Sequence, residues 1–286
     1  MRVTIIGLGK IGHAFAGRAL DKGHEVTVWN RTAGVGADLD EAGATRADSI
    51  ADACKAAEVV HVVVADDAAV EAVCLGPDGV LSALGPDGVL ANHSTVSPGL
   101  ARRLAADGPD GRVLDAPVMG SPSLVAEGGS RLLIGGDETT VNRLAPLWDD
   151  LAAGYTYCGG PGTGATVKIL SNLQLVVGVT AMAEGIRIAR AHGLPDELVE
   201  SVFGGSPVTS KATQQRLGSL LSADHDGWFP PYLARKDVRL AVALATEGGV
   251  PVELGPATDR LLTTVVDSGT DWPDFTAVIE ALAPGG

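Results

Sequence analysis

Short apolar runs recur through the first half of the chain. VTII (3–6), EVTVW (25–29), VVHVVV (59–64), GVLAN (88–92), RVLDAP (112–117) and RLLIGG (131–136) read as strands. Between them, KIGHAFAGRALDKG (10–23) and SPGLARRLAAD (97–107) carry helical patterns. Strands rich in Val and Ile that alternate with helices predict a parallel sheet covered on both faces.

Past residue 160 the strand signals largely vanish. Residues 164–193 read as one long helix, closed by Gly193 and Pro195. From Ile169 to Ala183 it has no formal charge, and a helix apolar nearly all round is usually buried. About 30 residues span roughly 45 Å at 1.5 Å each, which predicts a connector between two domains or two subunits. Helices follow at 195–204, 207–222, 231–247 and 255–267, with a last one near 274–282. The expected division is 1–162 and 163–286, with 163–193 as the interdomain helix.

Composition narrows the function classes. Of the 286 residues 45% are hydrophobic but only 4% aromatic, so Ala, Val, Leu and Ile must build the core. The net charge of −14 repels phosphate backbones and argues against a nucleic-acid partner. An anionic ligand therefore needs a locally cationic or amide-rich pocket. Cys54, Cys74 and Cys158 have no metal-ligand spacing, and their odd number fits a reduced, cytoplasmic protein. No His/Cys/Asp/Glu cluster has metal spacing. His61, His93 and His192 stand apart in the sequence and receive no role. No uncharged apolar run reaches the roughly 18 residues of a membrane span.

Candidate chemistry starts at IIGLGKIG. Gly7, Gly9 and Gly12 have G-x-G-x-x-G spacing directly after a strand and before a helix. Gly7 permits a tight turn, Gly9 a close backbone approach to a pyrophosphate, and Gly12 close packing of helix on strand. The second strand ends in VWNRT. Asn30 stands where an acid would bind the ribose 2′-hydroxyl of NAD, and Arg31 and Thr32 follow. A guanidinium there pairs with a 2′-phosphate, so NADP(H) is expected over NAD(H). The expected cofactor-binding set is Gly7, Leu8, Gly9, Lys10, Ile11, Gly12, Asn30, Arg31 and Thr32, with Val64 and Ala65 at the end of the 59–64 strand.

With these segments in view, the chain resembles the β-hydroxyacid dehydrogenase family, which includes 3-hydroxyisobutyrate dehydrogenases, and most of all its glyoxylate/succinic semialdehyde reductase branch. The matching segments are GLGKIG with GHEVTVWNRT, HSTVSP (93–98), DAPVMGS (115–121), GTGATVKILSN (162–172), RKDVRLA (235–241) and the closing DFTAVIEAL. The resemblance implies a Rossmann domain, a long interdomain helix and an all-helical C-terminal domain that forms much of a homodimer interface. It also implies reversible hydride transfer between NADP(H) and a small aldehyde or keto acid, or β-hydroxyacid.

Lys168 and Asn172 are four apart and share one helical face. The family's matching lysine is the general acid/base, and apolar surroundings would lower its pKa toward working pH; the matching asparagine orients substrate or lysine. The plain alternative is a lysine snorkelling from a helix end. Ser94 and Thr95 follow a strand at its carboxyl end, where they could meet substrate or nicotinamide; Ser97, before Pro98, is the better helix cap. Met119, Gly120 and Ser121 stand where many family members have Ser-Gly-Gly. Met119 removes a hydroxyl and adds apolar bulk, which leaves the substrate open. Lys236 is expected near the nicotinamide, on both the cofactor and the substrate side, with Thr95. Two other functions compete: imine reduction on the same architecture, against which Lys168 argues, and a non-catalytic dinucleotide sensor, which needs neither Lys168 nor Asn172.

Overall fold

The computed structural model describes residues 1–283. By internal packing the chain separates into two compact units, one from Met1 to Lys168 and one from Ile169 onward. The division falls inside the long helix.

The first unit is built on a sheet of nine strands among the described residues. They are β1 (Arg2–Ile6), β2 (Glu25–Trp29), β3 (Thr45–Arg46), β4 (Val59–Val62), β5 (Val89–Asn92), β6 (Val113–Asp115), β7 (Val118–Met119), β8 (Arg131–Gly135) and β9 (Tyr155–Gly159). Their order is β3-β2-β1-β4-β5-β6-β8-β7, with β9 paired to β8. All pairings are parallel except those of β8 with β6 and β7. This is the mostly parallel, doubly wound sheet of a Rossmann fold. Register aligns Ile6 with Trp29 and Val62, Val62 with Asn92, and Asn92 with Asp115. The loops after β1, β2, β4, β5 and β6 therefore leave from one level of one edge. The winding direction reverses between β1 and β4, the place where such sheets receive ligands.

Both sheet faces are covered. Phe15, Leu114, Ile134 and Trp148 are fully buried in the core of one face. Val60, Val62, Leu90 and Leu104 form that of the other. Three strands carry no apolar run and were invisible to the pattern. β3 and β7 are two residues each, and β9, YTYCG, is a partly exposed edge strand. The run 59–64 leaves the sheet after Val62, because Val64 N turns to the Ser94 hydroxyl at 2.9 Å.

From Ile169 onward the chain is helical. The long helix, Thr163–Ala191, lends Val176, Val179, Ala183 and Ile186 to a second core with Leu220, Phe229, Val238, Leu262 and Phe275. Its length and mean hydropathy of 1.4 would suffice to cross a membrane. Its buried stripe within a protein core identifies it as a core helix. The segment 207–222 forms two short helices, Lys211–Gln214 and Leu217–Ser222, and the last element, Phe275–Leu282, is a 3-10 helix.

Candidate active site

The glycine loop joins β1 to the helix Lys10–Asp21. Gly7 has φ +95°, and a Cβ there would press on the carbonyl of Val63 and stand 2.8 Å from Val64 Cγ1. A Cβ on Gly12 would overlap the Gly7 carbonyl oxygen. The protein's own packing thus dictates both glycines. Gly9 differs. Its φ of −65° suits any residue, and nothing lies within 4 Å of where its Cβ would be. It is exposed at the N-terminus of the helix, where free N–H groups favour an anion. The residues present fit a dinucleotide's pyrophosphate.

Asn30 locks this loop to the next. Its Oδ1 accepts from Leu8 N at 3.0 Å, and its Nδ2 donates to Thr32 O at 3.0 Å. A carboxylate could make the first bond but would repel the second oxygen. Asn30 therefore serves the loop with both ends of its amide, beside the exposed Arg31 and Thr32. Lys10 is exposed, Leu8 is buried, and Ile11 packs against the first core.

The loop after β5 is more structured than its sequence suggests. Ser94 is buried, accepts from Val64 N and keeps its own O–H to donate. Thr95 is half-buried, and Ala65 is exposed in the loop after β4. Ser97 caps the helix Pro98–Asp107 as expected, accepting from Leu100 N while donating to Asp67 at 2.5 Å.

His61 and His93, far apart in sequence, form a buried stacked pair with ring centroids 5.0 Å apart. His93 Nδ1 lies 2.6 Å from Ala116 O and must donate to it. In the neutral ring its Nε2 then accepts from His61 Nδ1, 2.7 Å away. Phe15 stacks on His93. The pair ties the end of β5 to the loop after β6, and burial favours both rings neutral. Burial drives the His93 pKa down to about 4, and that of His61 well below its usual value. A base whose folded pKa is depressed contributes stability that is whole above its unfolded pKa and lost as pH falls through the folded one. Stability should therefore fall from pH about 6.5 toward about 4. Thermal melts across this window should show a falling Tm, and His93→Asn should flatten the slope; an equal slope in the variant would remove the pair as its cause.

After β6, Asp115 is buried, and its carboxylate accepts from Gly162 N and Ala165 N, each at 2.8 Å. Burial raises its pKa, and the amide bonds pull it back. Met119 is exposed opposite Arg131 in β8. Gly120 and Ser121 are half-buried. The Ser121 hydroxyl caps the short helix Pro122–Ala126 and bonds to Ser123 Oγ at 2.8 Å. Lys168 is half-buried, three residues beyond Ala165 on the same helix and so beside it on one face.

In the second unit, Asn172 is buried and donates from Nδ2 to Asp237 Oδ2 at 2.5 Å. This leaves Asn172 Oδ1 to accept from another donor. Lys236 Nζ pairs with Asp237 Oδ1 at 2.9 Å. Both belong to the helix Pro231–Glu247. Sequence reasoning made Asn172 and Lys236 site residues and noted Asp237 beside Lys236, but gave no role to the carboxylate that joins them. The signal was available: Ala234, Asp237, Val238 and Ala241 lie on one buried stripe, and an acid on an apolar stripe needs partners. Trp228 and Phe229 stack on each other, with Phe229 buried against Phe275 in the second core, while Tyr232 is exposed.

Comparison with known proteins gives matches along nearly the whole chain. A family model described as the NAD binding domain of 6-phosphogluconate dehydrogenase matches residues 2–160. One described as the NAD-binding of NADP-dependent 3-hydroxyisobutyrate dehydrogenase matches residues 162–282. The glyoxylate/succinic semialdehyde reductase 1 of Arabidopsis thaliana is 29% identical, over 99% of this chain and 98% of its own. The structure of 3-hydroxyisobutyrate dehydrogenase from Salmonella typhimurium superposes with a TM-score of 0.87 at 26% identity, covering 98% of this chain and 99% of that one. Psf3 in complex with NADP+ and 2-OPP superposes with a TM-score of 0.86 at 25% identity, covering 98% of this chain and all of that one.

Proposed function

Because this chain belongs to the β-hydroxyacid dehydrogenase family of pyridine-nucleotide-dependent oxidoreductases, we propose that it interconverts a small aldehyde or keto acid and its hydroxyacid, with NADP(H) preferred over NAD(H) and Lys168 as the acid/base. One observation carries the reading. Asp115 anchors the first turn of the Lys168 helix at the same level of the sheet edge from which the glycine loop departs.

When bound, NADPH supplies the hydride. The chain's own part is to bind, orient and move a proton. The backbone at Gly9 and Lys10, at the helix N-terminus, would receive the pyrophosphate. Val64, Ala65 and Thr95 would hold the cofactor beyond the glycine loop. Lys168 gives a proton to the substrate carbonyl oxygen in reduction and recovers it in oxidation. Asn172, its amide oriented by Asp237, serves as an acceptor for the lysine or the substrate hydroxyl. Ser94, Thr95, Gly120 and Ser121 offer donors to the substrate acid, and Met119 sets the size of its tail.

The cofactor preference rests on Arg31. Arg31→Ala should raise KM for NADPH at least about tenfold while barely moving KM for NADH, since a guanidinium–phosphate pair contributes roughly 1.5–3 kcal/mol. Equal changes for the two cofactors would remove this assignment.

We also propose a cytoplasmic homodimer that meets through the helical unit, which exposes Leu198, Val202 and Leu254. The free cysteines fit a reducing compartment.

The test is turnover of glyoxylate, succinic semialdehyde, tartronate semialdehyde and methylmalonate semialdehyde with NADPH and NADH side by side. No turnover of any short aldehyde acid contradicts the proposal, and faster reduction of a cyclic imine would favour imine reduction instead. Binding of NADPH without turnover of any carbonyl or imine would leave the sensor.

A further inference from the structure

We propose that Asp115 is the positioning residue for Lys168: its carboxylate, reaching across from the sheet, replaces the missing local cap and fixes the turn from which the lysine projects. The inference rests on Lys168 being the proton donor.

The long helix starts at Thr163, directly after Gly162, which has no side chain to cap with. A cap commonly satisfies the N–H of the third helical residue, and in a capping box its own N–H is satisfied too. Here both donors, Ala165 N and Gly162 N, go to the two oxygens of Asp115, 50 and 47 residues earlier in the chain. The hydroxyls of the first turn are used otherwise. Thr163 Oγ1 donates to Gly160 O, and Thr166 Oγ1 to Gly162 O.

Two glycines make the approach possible. A Cβ on Gly135 would stand 2.6 Å from Asp115 Oδ1. One on Gly164 would stand 2.5 Å from Leu133 O and 2.8 Å from Asp115 O. Strand ends and helix start thus meet at backbone distance, with no side chain able to act as a spacer. Around the carboxylate lie the Thr163 hydroxyl, itself bonded to Gly160, and the Cys158 thiol, whose pKa is raised by burial and by Asp115.

A buried carboxylate is an expensive way to cap a helix, since burial disfavours its charge. A local Ser or Asp cap would serve stability as well. What the distant carboxylate adds is register: it ties the helix to β6, whose end is level with the ends of β1, β4 and β5. Displacing a reacting group by about 1 Å lowers a rate on the order of 10²-fold, so a clamp on Ala165, one helical turn ahead of the lysine, bears directly on turnover.

Asp115→Asn keeps the shape but sets an amide N–H₂ against a backbone N–H. We expect kcat to fall about tenfold or more, with NADPH affinity and substrate KM changed less than about twofold. Hydrogen exchange at residues 162–168 should quicken while the β1 amides keep their protection. The decisive measurement is a double-mutant cycle. In single-turnover assays, Asp115→Asn should cost nothing further when placed on Lys168→Ala. An equal factor in both backgrounds would mean a general structural role and would overturn the proposal, as would full kcat in Asp115→Asn. Should that variant fail to fold, Gly164→Ala strains the same contact from the helix side with Asp115 intact. It should show the same loss of kcat at constant NADPH affinity, and unchanged kcat would likewise overturn the proposal. If Lys168→Ala alone retains turnover, the acid/base assignment itself has failed. A silent Asp115→Asn beside an inactive Lys168→Ala removes only the positioning role.

Discussion

Lys168→Ala should lower kcat about 10²- to 10⁴-fold, the usual contribution of a positioned general acid, while NADPH binds as before. Carbonyl reduction leaves negative charge on the substrate oxygen as hydride arrives, and a proton given in that transition state stabilises it directly. Water can supply the proton without the side chain, but without its placement. The loss should appear equally in kcat and kcat/KM, the signature of an interaction made only in the transition state. The variant should fold. Lys168 is half-buried rather than a core member, and alanine is the best helix former. NADPH titration, followed by nicotinamide fluorescence, checks the binding half and initial rates on the best short aldehyde acid check the other. Wild-type turnover in the variant would end the acid/base assignment. Lost turnover accompanied by lost NADPH binding would point to a cofactor contact instead. Lys168→Arg separates charge from chemistry: a guanidinium keeps the charge but does not release its proton at neutral pH, so it should not restore the rate.

Much of this was legible in the sequence, for reasons that differ by residue. The strands β1, β2 and β5 and the helices Lys10–Asp21 and Pro231–Glu247 announce themselves by apolar runs or by stripes at helical spacing. The glycine motif was readable because two of its three glycines obey steric demands within the fold, and these leave a fixed spacing. What stayed hidden was contact between distant residues. His61 and His93 are 32 positions apart and meet only because β4 pairs with β5. Asp115 finds the helix start 47 positions on only because β6 ends level with it. Asn172 and Asp237 are 65 apart, and only the fold of the second unit brings them together. Each is a polar residue within an apolar pattern. Such a residue signals that a partner exists, but not which one. The edge strand β9 was missed for the opposite reason, since it is partly exposed and carries two tyrosines and a cysteine in place of an aliphatic run.

Gly9→Ala and Gly12→Ala should fail in different ways, and the contrast tests whether the loop is built for a ligand. At Gly12 the added methyl would overlap the Gly7 carbonyl oxygen, which is backbone held by a bond from Gly7 N to Trp29 O at 2.9 Å. Neither partner can rotate away. The helix must back off the strand, and overpacking of this kind costs about 1–3 kcal/mol, occasionally more. Gly12→Ala should therefore lower Tm by several degrees and weaken NADPH binding as a consequence. Gly9 faces open space within the protein, and its backbone angles suit alanine. Exchanging glycine for alanine at this capping position should change stability by no more than about 1 kcal/mol. If the loop holds a pyrophosphate, however, the methyl stands between the backbone amides and the phosphate oxygens. Losing about 1.4 kcal/mol of that contact is already a tenfold loss of affinity, and a displaced phosphate loses more than one bond. Gly9→Ala should thus keep its Tm and bind NADPH at least about tenfold more weakly. Calorimetric melting and NADPH titration on the two variants decide the matter. A Gly9→Ala protein that binds NADPH like the wild type would mean the cofactor does not lie against this turn, whatever the spacing of its glycines.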